Sequence, residues 1–241
     1  MNSSAAISTP FFYLLLAIVA STAIASNNIL DKSSSCDTNF TQPQRDLIEV
    51  GGQHFHPIKH TLQGLESNLI AKGSSHLTYF AVAICSAVLY LEPHAPNHAV
   101  QSVHQPIADA VNVDDGDTPQ PLSTSSSIAL EISYHKAVRA SDFRWATTTY
   151  TSKNGHTQPH IVELINTFNS LYQNVKRGDR YLLEYQNEMG ISLNLNGEHL
   201  GSVGKGSEYE KELAQAIYSI WFGEKPFFER LKKDLLTPID V

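Results

Sequence analysis

Eleven histidines and two cysteines are the residues of this chain best suited to chemistry near neutral pH. His54 and His56 share one face of a short extended segment, with His60 close by. His94, His98 and His104 follow in a proline-rich stretch. A zinc site needs three or four ligands converging at about 2 Å, and neither group brings a Cys partner or the H-E-x-x-H pattern. Both groups therefore read as surface histidines, and the sequence calls for no metal and no cofactor. It contains no Gly-rich phosphate loop and no G-x-S-x-G elbow, so no catalytic residue is assigned. Cys36 and Cys85 could pair in an oxidising compartment. One sits in a polar lead-in and the other in an apolar strand, so two free thiols are the default reading and a disulfide the alternative.

Cys85 lies in the longest largely apolar run after the N-terminus, residues 78–91. Strand alternation puts Tyr79, Ala81, Ala83, Cys85, Ala87 and Leu89 on one face, and Phe80, Val82, Ile84, Ser86, Val88 and Tyr90 on the other. The first face is rich in small residues. Either a helix packs closely over it, or a cleft remains whose wall includes Ala83 and Cys85.

The elements that would position such a strand are legible further on. Residues 181–185, 191–195 and 198–203 alternate, with Asn196-Gly197 between the last two. Asn-Gly between alternating runs signals a type I′ hairpin, because both central residues need positive φ. A three-stranded antiparallel meander follows. Ser207 and Glu210 have capping-box spacing, and Leu213, Ala216, Ile217, Ile220 and Trp221 then repeat at helical spacing. Gly223 is placed for a left-handed cap, and Pro226 for the first turn of a last helix bearing Leu231 and Leu235. Upstream, residues 128–134 alternate as a strand. Ser141 is placed to cap a helix with Phe143 and Trp145, and Pro159 to open another. That second helix carries Ile161, Leu164, Ile165, Phe168, Leu171, Tyr172 and Val175, with Gly178 ending it. Residues 46–56 read as a first strand and its turn, and 62–70 as a second strand. The fold class is α+β, a large antiparallel sheet with helices packed on one face.

Residues 1–30 carry no charged side chain, and 11–20 form an apolar run ending just before Ala23-Ile-Ala25. This predicts a signal peptide over 1–25, cleaved after a small–x–small site. An uncleaved anchor is the rival reading, although the run is short for a bilayer span of about 20 residues. Residues 26–45 read as a flexible lead-in and 46–241 as the folded domain, with 92–127 a long, proline- and serine-rich loop insertion. Export to the periplasm or the outside follows, with no stable membrane insertion after cleavage. The net charge of −7 without a basic stripe argues against nucleic acid as partner.

Tyr172 with Val175, Arg177-Gly-Asp179, Asn196-Gly197 with Gly201, and Ile220-Trp-Phe-Gly223 together resemble the bacterial chalcone-isomerase-like family over roughly residues 46–236. The resemblance implies the open-faced β-sandwich of chalcone isomerases. The "YLE" ending of that family's strand matches Tyr90-Leu-Glu92. In true chalcone isomerases an Arg before this strand, a Thr on it, and a Tyr and an Asn after the next strand surround the substrate. They serve an intramolecular conjugate addition of a phenolate. Here the Thr position falls on Cys85, and the Arg region offers Lys72 and His76. The Tyr position falls near Phe143, which has no hydroxyl, and the Asn position near Tyr150. Lysine is a poor substitute where a planar fork is wanted.

The expectation is an exported family member without chalcone isomerase activity. Its small apolar ligand, such as a fatty acid, would be lined by Lys72, His76, Ala83, Cys85 and Tyr150. Two alternatives stand beside it: an intramolecular lyase with a rearranged site, and a non-catalytic interaction protein of the cell envelope with a filled core.

Overall fold

The computed structural model describes residues 47–60, 68–79, 82–92 and 127–239. The expected signal peptide, lead-in, Cys36, His94, His98, His104 and almost all of the 92–127 insertion lie outside them.

Seven antiparallel strands form one sheet in simple sequence order. They are β3 (Ile58–His60), β4 (Asn68–Tyr79), β5 (Val82–Leu91), β6 (Ser127–Tyr134), β7 (Arg180–Gln186), β8 (Gly190–Leu195) and β9 (Glu198–Val203). Among the described residues four helices accompany them: α1 (Ala140–Lys153), α2 (Pro159–Asn169), α3 (Glu210–Phe222) and α4 (Glu229–Leu236). A separate hairpin of β1 (Ile48–Val50) and β2 (Gln53–Phe55) turns at Gly51 and Gly52, both at positive φ. The α+β open-faced arrangement is as the sequence predicts.

Alternation sorts the side chains into two layers. Cys85, Ala87, Leu89, Ile128, Leu130, Ile132, Leu183, Ile191 and Leu193 form the main core with Ile161, Ile165 and Phe168 of α2 and Leu213, Ile217 and Tyr218 of α3. On the opposite face, Val50 and Phe55 of the hairpin join Leu69, Ala71, Val88, Tyr90 and Ala129 in a smaller cluster.

Several local expectations are corrected. Thr78 and Tyr79 end β4, and the strand bearing Cys85 starts at Val82, so the apolar run spans a hairpin between two strands. Residues 46–56 hold two short strands. Leu69 and Ile70, expected in a second strand over 62–70, belong to the long β4. Helix α2 opens on Pro159 as predicted but ends at Asn169. Tyr172 and Val175 are still buried, Val175 in a bridge to Val138. Gly178 takes positive φ in the turn before β7. Helix α1 starts at Ala140 behind Arg139, whose amide donates to Asp142 Oδ2, so Ser141 does not cap it. The Ser207–Glu210 box does not close: Glu210 Oε1 instead accepts the Glu188 amide at 2.7 Å, pinning the β7–β8 turn to α3. Gly223 is extended, with φ −64 and ψ 177. Its missing side chain matters for another reason, since a Cβ there would lie 2.4 Å from Asn154 Oδ1. Helix α4 begins three residues beyond Pro226, behind Phe228. The Asn196-Gly197 turn is as predicted, with φ of 53° and 85°.

The C-terminal helix lies directly on β4. Ser75 Oγ donates to Asp234 Oδ2 at 3.0 Å, and the Ile239 amide donates to the Lys72 carbonyl at 3.1 Å. Gly73 makes this approach possible: a Cβ there would meet the Leu235 carbonyl oxygen at 1.8 Å, and that atom is backbone. Gly73→Ala should therefore lift the end of α4 and cost about 1–3 kcal/mol, read by urea denaturation and by loss of amide protection in residues 231–236. Unchanged stability would mean that α4 is not held by this contact.

Candidate functional site

Cys85 is the anchor of the face on which the family's chemistry would be expected. It is buried on β5, forms no disulfide, and lies in the core with Tyr134, Tyr172 and Tyr181. Phe143 of α1 stands edge-on to Tyr134 with ring centres 5.4 Å apart, and is stacked on Tyr172 at 5.3 Å. Tyr181 completes the group at 5.3 Å from Phe143. Here helix α1, the 170–175 segment and β7 converge on the small-residue strand. Ala87, next on the same face, is also buried, while Ala83, paired with Thr78 at the start of β5, is half-buried.

The electrostatics of this cluster oppose ionisation. Burial pushes the Cys85 thiol up to about 12. Burial also raises the Tyr134 phenol, with Cys85, Tyr172 and Tyr181 as further causes. The Tyr172 hydroxyl is raised by burial and shares a hydrogen bond of 3.1 Å with Thr147 Oγ1. Tyr150, buried on α1, packs edge-on against Phe227 at 5.2 Å and Trp145 at 6.4 Å, and burial raises its hydroxyl too. A conjugate addition needs groups that hold a phenolate and stabilise a developing enolate. What the cluster offers is a neutral Cys85 thiol and phenols on Tyr134 and Tyr172 that burial keeps protonated.

Lys72 stands elsewhere. It is the extra residue of a β-bulge between Ala71 and Gly73. It lines a seam with Leu89 and Leu91 of β5 and Leu235 and Leu236 of α4, which has no room for a water molecule in this conformation. Gly73 pairs with Leu89 and Leu77 with Cys85, so Lys72 lies more than about 13 Å along the strand from Cys85. A polar recess of about 250 Å³ opens between the C-terminal ends of α1 and α3, and none of the sequence candidates lines it.

His76 is on the opposite face. Its Nδ1 is 3.1 Å from Ser86 Oγ, and the same oxygen is 2.8 Å from His135 Nε2. The two imidazoles meet edge-on at 5.1 Å. The five sequence candidates thus divide into a Cys85–Ala83 wall, a Tyr150 packing position, a Lys72 seam and a His76 cluster, and they do not converge on one site. Sequence reasoning missed the polar groups of the far face: Ser86, His135, and the buried Glu131 carboxylate with Lys59 at 2.9 Å, Arg180 at 3.3 Å and the Tyr90 hydroxyl at 3.2 Å. The signal was present, because alternation puts Glu131 and Ser133 on one side of β6, against Ile128, Leu130 and Ile132 on the other. Among the described residues, no three His, Cys, Asp or Glu come together as metal ligands, and no helix is long and apolar enough to cross a membrane.

The Cys85 environment makes a direct prediction. With its thiol at about 12 against the ordinary 9.0, thiolate is roughly a thousandfold scarcer than for a free cysteine. A disulfide reagent at pH 8 should leave Cys85 unlabelled in the native protein and label it fully in urea. Rapid native labelling would show the aromatic cluster to be open.

The profile of the chalcone isomerase-like family matches residues 58–237. Among curated proteins no sequence matches. Among solved structures, a fatty-acid binding protein of Arabidopsis thaliana is similar at 15% identity and a TM-score of 0.49, over 81% of this chain and 94% of that one. The matched span runs from β3 through α4 and so takes in the whole seven-stranded sheet and all four helices; the chain belongs to the chalcone isomerase-like family.

Proposed function

We propose that this protein is a non-catalytic member of its family. In this reading it holds a small apolar ligand with an anionic head, such as a fatty acid, and acts after export with residues 1–25 removed. The observation that carries the first part is the aromatic cluster around Cys85. At the positions where the resemblance puts a Tyr and a Thr, Phe143 presents a bare ring and Cys85 a thiol held neutral by burial. The ligand reading is supported by Lys72 beside the Leu89, Leu91, Leu235 and Leu236 seam. A lysine beside an aliphatic seam suits a carboxylate-headed chain, the head near a positive charge and the tail removed from water. The seam is closed in this conformation, so binding requires α4 and β4 to separate there.

The tight packing over Cys85 favours a second reading, an interaction protein of the envelope with a filled core. One experiment separates the two. The purified protein is examined by native mass spectrometry and lipid extraction, and then by thermal shift against palmitate, palmityl alcohol and a chalcone. The ligand reading expects a stoichiometric fatty acid, a shift with palmitate, no chalcone turnover, and about a tenfold affinity loss in Lys72→Ala for palmitate but not for the alcohol. A clean unliganded mass with no shift from any of the three removes it and leaves the interaction reading. In the same spectra, a mass lacking residues 1–25 supports export with cleavage, and an intact N-terminus from the native host overturns it.

A further inference from the structure

The cluster of His76, Ser86 and His135 has no part in the ligand reading, yet its geometry is specific. Ser86 is fully buried, and its hydroxyl oxygen sits between Nδ1 of one imidazole and Nε2 of the other. A hydroxyl has one proton to give and lone pairs to receive. The cluster is satisfied when one ring accepts the Ser86 proton and the other donates its N–H to the Ser86 oxygen. Two neutral imidazoles meet that requirement.

The hairpin turn lies on the first of these rings. A Cβ at Gly51 would fall 1.9 Å from His76 Nδ1, so the turn backbone is in contact with the imidazole. Two residues on, Gln53 Oε1 accepts from Ser133 Oγ at 3.0 Å. Ser133 is paired in register with Ser86, which is paired with His76. The hairpin therefore docks on a single row of side chains running across β4, β5 and β6.

We propose that His76, Ser86 and His135 form a pH-operated latch on the β1–β2 hairpin, closed while both imidazoles are neutral and released when both are protonated. In the doubly protonated state both rings are donors, so neither can accept the Ser86 proton. Two cations then face each other with ring centres 5.1 Å apart. The surroundings do not compensate. Arg177, from the turn before β7, adds positive charge at His135. The turn residues Gly51 and Gly52 carry none, and Gln53, Ser86 and Ser133 are neutral. Glu131, one row along the sheet, is already paired with Lys59 and Arg180. Burial first, then His76 and Arg177, hold the His135 imidazole below its ordinary 6.5. A depressed folded value means that the stabilisation is complete above the unfolded imidazole range and is lost as pH falls through and below it. Movement of His76 acts on the turn, and release of the hairpin takes Val50 and Phe55 off Val88, Tyr90 and Ala129.

The test is hydrogen exchange of the intact protein, as protection factors, between pH 7.5 and 5.5. The amides of residues 48–50 and 53–55 should lose about tenfold or more in protection, while the β6–β7 ladder keeps its own. His135→Gln, which cannot be protonated, should flatten the loss. Equal loss in the variant, or a parallel loss in β6–β7, would overturn the latch. If the variant does not fold, the imidazole C–H resonances of the unmodified protein decide. His135 titrating below 6.5 in step with hairpin exchange supports the proposal, and His135 titrating at its ordinary value under a hairpin that stays protected ends it.

Discussion

A single carboxylate ties together the side of the sheet that none of the described helices covers. Glu131 is on β6, and its two oxygens are taken by Lys59 from the edge strand β3, Arg180 from β7 and the Tyr90 hydroxyl from β5. Burying a carboxylate is expensive unless charge and hydrogen bonds compensate it, so the strands that supply those partners are held at fixed distance. Tyr90 extends the clamp by sharing its one hydroxyl proton between Glu131 and the His56 carbonyl at 2.9 Å, and Arg180 by lying over the Phe55 ring at 4.7 Å. The hairpin is thus connected to the sheet through polar as well as apolar contacts. Because Lys59 and Arg180 keep part of their side chains in water, losing one of them is milder than losing Glu131, which would leave two cations without their shared partner.

The helix side works on the opposite principle. Its core is apolar and aromatic, and two of its tyrosine hydroxyls are directed at neighbouring backbone. The Tyr218 hydroxyl donates towards the Ile128 and Leu183 carbonyls, and the Tyr181 hydroxyl donates to the Gln173 carbonyl while accepting the Gln173 amide. Side chains used in this way are structural. The family match spans this whole layer, and membership in a family carries fold rather than activity.

Much of this architecture is legible in the chain. The meander follows from Asn196-Gly197 and the alternation around it, and the buried stripe of α2 from Ile161, Leu164, Ile165 and Phe168. Boundaries are less so, for physical reasons that can be named. Residues 78–91 read as one strand because a tight hairpin between two apolar strands leaves little break in the apolar pattern. Ser207 and Glu210 have the right types for a capping box, but a buried backbone amide at Glu188 competes for the same carboxylate and takes it. Gly223 has the right type for a left-handed cap, yet is needed for the close approach of Asn154, whose side chain bonds the carbonyls of Tyr150, Ser219 and Lys225. In each case the local rule proposes, and a partner far away in sequence decides.

The same holds more sharply for the site. The stripe of Ala83, Cys85, Ala87 and Leu89 is compatible with a cleft or with a packed helix, because small side chains allow close approach without fixing what approaches. What does approach is set by Phe143, Tyr172 and Tyr181, which come from three other segments and whose rings meet only after α1 and β7 are in place. Likewise, Ser86 and His135 are 49 residues apart, and nothing local marks either as the partner of His76. Their meeting follows from register: His76 pairs with Ser86, Ser86 with Ser133, and His135 follows Ser133 by two on the same face. The far-face cluster is therefore encoded in strand order and register, and not in residue types along the chain.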